Sequence, residues 1–138
     1  MKILLAVDGS KPSLDAVDFL IQQAGLYRAK PEVELITVHL PVPRMHGVGK
    51  EQLGKYYEEE GQANLAPAKK KLDAAGIAYK ASVLVGPIAE TIVKQADASR
   101  CDMICVGSRG MGELGKALLG STATKVLHLA SQPLLIVK

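Results

Sequence analysis

A glycine-rich segment follows the apolar stretch that ends at Val106, and its composition suits the binding of a phosphorylated ligand. Between Gly107 and Thr122 the chain carries five glycines, at positions 107, 110, 112, 115 and 120. Glycines at this density allow the backbone to take positive φ and let a ligand approach the N–H groups closely. Between a strand end and a helix start, such N–H groups and the helix dipole attract anions. The segment therefore predicts a phosphate-binding loop, the alternative being a loop that is merely flexible.

Two common nucleotide motifs fit these glycines only in part. Residues 110–115 have the G-x-G-x-x-G letters of the dinucleotide fingerprint, but three residues separate them from the strand and no acid follows Glu113. An NAD site needs the strand directly before the motif and an acid about 20 residues later for the ribose. Residues 110–116 resemble a Walker A loop, but Ala117 stands where a Ser or Thr would bind Mg²⁺. Neither NAD binding nor a Walker-type motor is predicted.

Five apolar stretches have the length and the β-branched content of strands. Several are apolar at consecutive positions instead of alternating, which is typical of strands covered on both faces of a parallel sheet. The predicted strands are residues 2–7, 33–40, 79–85, 103–106 and 134–137.

The segments between these strands have helical periodicity. Ser10 is the predicted N-cap of the first helix, with Pro12 in its first turn. Residues 50–75 contain two glycines and Pro67, which predicts one kinked helix or two shorter ones, with Gly76 ending the last. Strands and helices that alternate along the chain, joined by right-handed crossovers, predict an α/β doubly wound sheet with helices on both faces.

The spacing Gly107-x2-Gly110-x9-Gly120-Ser121 resembles the nucleotide-binding pattern of the universal stress protein family at every defined position. Residues 3–10, 38–40, 85–87 and 133–137 also resemble that family, so that the likeness covers essentially the whole chain as a single domain, 1–138. The resemblance implies an open five-stranded parallel sheet of strand order 3-2-1-4-5. In that order the chain reverses between strands one and four, and open α/β sheets bind ligands at such a switch point.

The resemblance implies ATP, or AMP or ADP, as the ligand, with Mg²⁺ or Mn²⁺ carried by the nucleotide. At the base end, Ala6 and Val106 would line the adenine pocket and the backbone of Leu40 would contact the base. Asp8 would accept a hydrogen bond on the adenine-ribose side, although an Asp at this position could instead cap the first helix.

At the phosphate end, the resemblance implies that the glycine-rich loop wraps the ribose and phosphates. The start of the last helix would offer N–H and hydroxyl groups, where the helix dipole favours anions. The residues concerned are Gly107, Arg109, Gly110, Gly120, Ser121 and Thr122.

Composition argues against nucleic-acid binding, membrane insertion and secretion. One Phe, four Tyr and no Trp are few for base stacking, and a net charge of +3 is low for a nucleic-acid binder. No apolar run is long enough to span a bilayer, and the N-terminus does not read as a signal peptide, so we expect a cytoplasmic protein. Cys101 and Cys105 are too far apart on one strand for a disulfide and too few for a zinc site, which predicts buried free thiols.

The sequence contains no paired carboxylates or histidine–nucleophile arrangement after the glycine loop. We therefore expect a regulatory nucleotide-binding module with slow hydrolysis or none. The last strand, Leu134–Val137, is a bare apolar edge, which together with the resemblance predicts a homodimer. A nucleotide-free dimeric adaptor of the same fold is the alternative, and a flavodoxin-like electron carrier is disfavoured by the positions of the tyrosines. Residues 41–49 could form a lid or a plain surface loop.

Overall fold

The described residues form one five-stranded parallel sheet flanked by helices. The computed structural model describes residues 1–43, 47–109 and 119–138. All four strand pairings are parallel and the order is β3-β2-β1-β4-β5, which confirms the predicted topology. The strands are β1 (Lys2–Ala6), β2 (Glu32–His39), β3 (Tyr79–Val85), β4 (Met103–Gly107) and β5 (Leu134–Val137). Each boundary lies within one residue of the predicted one.

Four α-helices and one short 3₁₀-helix connect the strands. Ser10 caps the first helix as predicted, since its hydroxyl accepts a hydrogen bond from the Ser13 N–H at 3.4 Å. The helices are α1 (Lys11–Gln23), α2 (Lys50–Ala74), α3 (Ile88–Ala98) and α4 (Ser121–Leu129), with the 3₁₀-helix at Ala24–Leu26. In the described part of the chain, no helix combines the length and the apolar character needed to cross a bilayer.

Helix α2 is continuous, which settles a choice that the sequence left open between one helix and two. Pro67 lies inside it and cannot donate to the carbonyl of Ala63. Ala63 lies on the exposed side of α2, where water can donate to the carbonyl that Pro67 leaves without its helical partner and so offset part of the cost. Gly76, with φ +63°, ends the helix as predicted, and its N–H donates to the Asp73 carbonyl at 3.0 Å.

Each face of the sheet carries its own apolar core. Leu5 and Leu35 pack on one face with residues of α1 and α2, whereas Leu4, Ile36 and Ile104 pack on the other with residues of α3 and α4. Because both faces are covered, several of the strands are apolar at consecutive positions, which explains why they do not alternate between apolar and polar residues in the sequence.

The two cysteines are free and buried, as predicted. Burial raises the pKa of the Cys105 thiol to about 12. Burial, followed by the nearby Glu34 carboxylate, raises the pKa of the Cys101 thiol to about 11. Both groups therefore stay protonated at neutral pH and act as small apolar residues of the core.

Candidate functional site

A crevice opens at the carboxyl ends of β1 and β4, where the strand order reverses. Its cavity volume of about 90 Å³ is several times the ~10–15 Å³ that a single ordered water needs, so it has room for an organic group. Six of the ten predicted site residues line it: Ala6, Asp8, Val106, Gly107, Arg109 and Thr122. Five further residues line it without having been predicted: Val7, Ser13, Val38, Ile88 and Ile92.

The turn between β1 and α1 fixes the carboxylate of Asp8 at the crevice. Gly9 takes φ +82°, a conformation that only glycine adopts cheaply, and this reverses the chain between the strand and the helix. The Ser10 N–H donates to Asp8 Oδ1 at 2.9 Å, and the Asp8 N–H donates to Ser13 Oγ at 3.3 Å. Because Ser10 is the N-cap of α1, the alternative interpretation of Asp8 as the helix cap is wrong.

Gly107 stands where the end of β4 approaches the first turn of α1. A Cβ atom at this position would lie 2.6 Å from the Pro12 carbonyl oxygen and 2.7 Å from the Pro12 carbonyl carbon. Both are backbone atoms, which cannot move aside by changing rotamer. Gly107 is therefore needed for the packing of α1 on β4, in addition to lining the crevice.

The start of α4 closes the other side of the site. The Gly120 N–H donates to the Ser108 carbonyl at 2.6 Å, which joins the two ends of the glycine-rich segment. This hydrogen bond occupies a donor that the resemblance assigns to phosphate. Gly120 is the N-cap of α4 and has no side chain to cap it, and the positive end of the helix dipole lies at this side of the crevice. Thr122 lines the cavity from the first turn, whereas Gly120 and Ser121 lie outside the cavity lining.

Leu40 and Gly110 complete the predicted set. Leu40 lies one residue beyond β2, is 60% exposed and does not line the cavity, which Val38 reaches from inside the strand. Gly110 lies outside the described residues, as do Gly112, Gly115 and Lys116.

Helices α3 and α4, which supply Ile88, Ile92 and Thr122 to the crevice, are tied together by an ion pair between Glu90 and Lys125. The hydrogen bond from Lys125 is the main reason that the pKa of the Glu90 carboxyl lies below its usual range. The pair therefore persists across the neutral pH range, although both side chains are exposed and its contribution is small.

The chemistry of the lining is divided between apolar walls and a few polar groups. Ala6, Val38, Ile88, Ile92 and Val106 form the walls, and the polar groups come from Asp8, Ser13, Arg109 and Thr122. This division suits a ligand with a flat apolar ring and a polar or charged tail. Among the described residues there is no group of three or more His, Cys, Asp or Glu side chains placed to hold a metal ion.

Comparison with known proteins finds similarity to one family along the whole chain. A family model described as "Universal stress protein family" matches residues 1–138. Universal stress protein MJ0531 of Methanocaldococcus jannaschii is 32% identical over 138 residues, which cover 99% of this chain and 81% of that protein. Against a relative from Mycolicibacterium smegmatis, the chain spans 47%, about half, of that relative's length.

Two solved structures have the same architecture. That of MJ0577 from Methanocaldococcus jannaschii has a TM-score of 0.81 and 29% sequence identity, covering 99% of this chain and 94% of the other. A universal stress protein whose crystal structure is described as a complex with cAMP has a TM-score of 0.71 and 25% identity. That likeness covers 100% of this chain and 97% of the other.

Proposed function

The chain belongs to the universal stress protein family, and from this premise we propose that its crevice binds an adenine nucleotide, ATP or one of AMP and ADP. The observation that carries the proposal is the position of the crevice. A largely apolar slot lies at the topological switch point between β1 and β4, beside the N-terminus of α4. The relative solved in complex with cAMP supports an adenine nucleotide as the ligand class.

In the proposed complex the adenine lies against Ala6 and Val106, and Asp8 accepts a hydrogen bond on the ribose side. The phosphates extend toward α4, where Thr122 offers a hydroxyl group and Arg109 a positive charge. Leu40, Gly107, Gly110, Gly120 and Ser121 complete the proposed site. Mg²⁺ or Mn²⁺ would be carried by the phosphates of the nucleotide.

The proposed role is regulatory, in a stress response, with slow hydrolysis or none. Fast phosphoryl transfer needs an oriented water and stabilisation of the charge that develops on the phosphoryl group. We expect turnover below about 1 s⁻¹, a typical lower rate for enzymes. Two buried free thiols suit a reducing compartment, which supports a cytoplasmic location.

Binding is tested by calorimetry with ATP and with NAD. We expect a measurable dissociation constant for ATP and no binding of NAD. Thr122→Val, which removes the hydroxyl group at nearly constant shape, should weaken ATP binding about fivefold, the effect of one hydrogen bond. Ser131→Ala, just after α4 on the exposed surface, serves as the control and should leave the affinity unchanged. Absence of ATP binding at millimolar concentration would refute the proposed function.

We also propose a homodimer through β5. This strand pairs with β4 on one side, and no second strand pairs with it among the described residues. Its four residues are apolar and half-buried, and an open apolar edge favours pairing with a second copy. Light scattering at micromolar concentration should give twice the 14.6 kDa monomer mass, and a monomer mass would contradict the dimer.

A further inference from the structure

The four residues that follow β2 form a stiff segment, here called the strap, residues 40–43. Pro41 and Pro43 each fix their own φ, and each restricts the residue before it to extended conformations. Neither proline has a backbone N–H, so that Val42 carries the single backbone donor of the Pro-Val-Pro sequence. A partner for that donor therefore sets the direction in which the whole strap leaves the sheet.

The partner of Val42 is a side chain of α2. The Val42 N–H donates to the Tyr57 hydroxyl oxygen at 2.6 Å. The Tyr57 ring also lies 6.2 Å from the ring of His39, the last residue of β2, between ring centroids. Tyr57 thus contacts the last residue of β2 through its ring and the strap itself through its hydroxyl group.

The strap begins at the rim of the crevice. Val38, two residues before Leu40, lines the cavity, and the chain leaves the sheet directly after His39. Leu40 and Val42 are 60% and 36% exposed, so that two apolar side chains just beyond this strand end are in contact with solvent. Apolar groups beside a partly apolar crevice are available to cover one side of a ring bound in it.

We propose that Tyr57 is a positioning residue for base recognition: by holding Val42, it fixes the strap as the wall beside the nucleotide base. This inference rests on the proposed nucleotide function and names a residue that does not line the cavity. The strap can meet the base through the peptide groups at its start. A fixed peptide group distinguishes adenine from guanine, because the two bases carry a donor and an acceptor in exchanged positions on that edge. Tyr57 therefore affects the choice of base, while the phosphate end of the site depends on α4.

The test compares two adjacent tyrosines. Tyr57→Phe removes the hydroxyl group that accepts from Val42, whereas Tyr56→Phe is the matched control. The Tyr56 ring lies 5.8 Å from that of Tyr57 and its side chain is exposed. Calorimetry with ATP and with GTP should show that Tyr57→Phe weakens ATP binding about five- to tenfold, as loss of one hydrogen bond does. GTP binding should change less than twofold, and Tyr56→Phe should change neither.

Exchange of the Val42 amide hydrogen provides the second measurement. It should be faster in Tyr57→Phe and unchanged in Tyr56→Phe. Equal weakening of ATP and GTP binding, unchanged ATP binding, or loss of the fold in Tyr57→Phe would overturn the positioning role. If the wild-type protein binds no ATP, the proposed nucleotide function fails instead. The exchange rate of the Val42 amide then still decides whether Tyr57 holds the strap.

Discussion

Gly107→Ala is expected to lower the free energy of unfolding by about 3 kcal/mol and to weaken ATP binding more than tenfold. The added Cβ would lie 2.6 Å from the Pro12 carbonyl oxygen, so that the first turn of α1 must move away from β4. Overpacking of this kind costs about 1–3 kcal/mol, and backbone atoms relax less easily than side chains. Ser13, which lies in this turn, and Asp8, whose N–H donates to Ser13 Oγ, both line the crevice and would move with it. Urea denaturation and calorimetry measure the two effects.

Gly25→Ala is the matched control for this substitution. A Cβ at Gly25 would meet no heavy atom within 4 Å, and its φ is not positive. Its stability should therefore stay within about 0.5 kcal/mol of wild type. If Gly107→Ala were as stable as Gly25→Ala but no longer bound ATP, Gly107 would be needed for the approach of the ligand and not for the packing of α1. If stability and ATP affinity were both unchanged, Gly107 would be needed for neither.

The topology could be predicted from the sequence because it follows from local patterns. Several of the five apolar stretches lack alternation, which indicates a sheet covered on both faces, and right-handed crossovers leave few ways to connect the strands. The strand order itself came from the family resemblance and not from periodicity. The continuity of α2 could not be predicted, since it depends on whether the carbonyl freed by Pro67 faces solvent. That in turn depends on which face of the helix packs on the sheet.

The site could be predicted where residues directly follow a strand end. Asp8 and Gly107 reach the crevice because the carboxyl ends of β1 and β4 meet there. Ile88 and Ile92 were missed because they belong to an apolar helical stripe, which has the same appearance in the sequence whether it covers the core or lines a cavity. The direction of the strap after β2 depends on Tyr57, 15 residues further along the chain from Val42. A pairing at that separation leaves no local signal.

The glycines of this chain are required for different physical reasons, and their spacing in the sequence does not show which reason applies to which glycine. Gly9 is required by a positive φ, whereas Gly107 is required by the closeness of the Pro12 backbone. Gly54 meets neither condition, although it lies in the same helix as Gly61. In the sequence, Gly54 and Gly61 look the same, because each interrupts a helical pattern. The structure predicts opposite effects for their replacement.

Gly61→Ala is expected to destabilise the protein by about 2–3 kcal/mol, whereas Gly54→Ala is expected to stabilise it by about 0.5–1 kcal/mol. A Cβ at Gly61 would clash with both methyl groups of Val83 on β3. Valine has a restricted χ1 and cannot turn both methyl groups away, so that α2 must move off the sheet. A Cβ at Gly54 meets nothing within 4 Å and only adds helix propensity. Chemical denaturation of the two variants gives the comparison.

The double variant Gly61→Ala/Val83→Ala tests the cause, because removing the two methyl groups makes room for the new Cβ. It should be more stable than the sum of the single effects by at least about 1 kcal/mol, as expected for residues in direct contact. Tyr57 lies one turn before Gly61 on the same face of α2, so that Gly61→Ala should also speed exchange of the Val42 amide. The double variant should restore slow exchange. Strict additivity of the two substitutions would show that a glycine is needed at position 61 for a reason other than the closeness of Val83. The proposed coupling of β3, through α2 and Tyr57, to the Val42 amide would then be refuted.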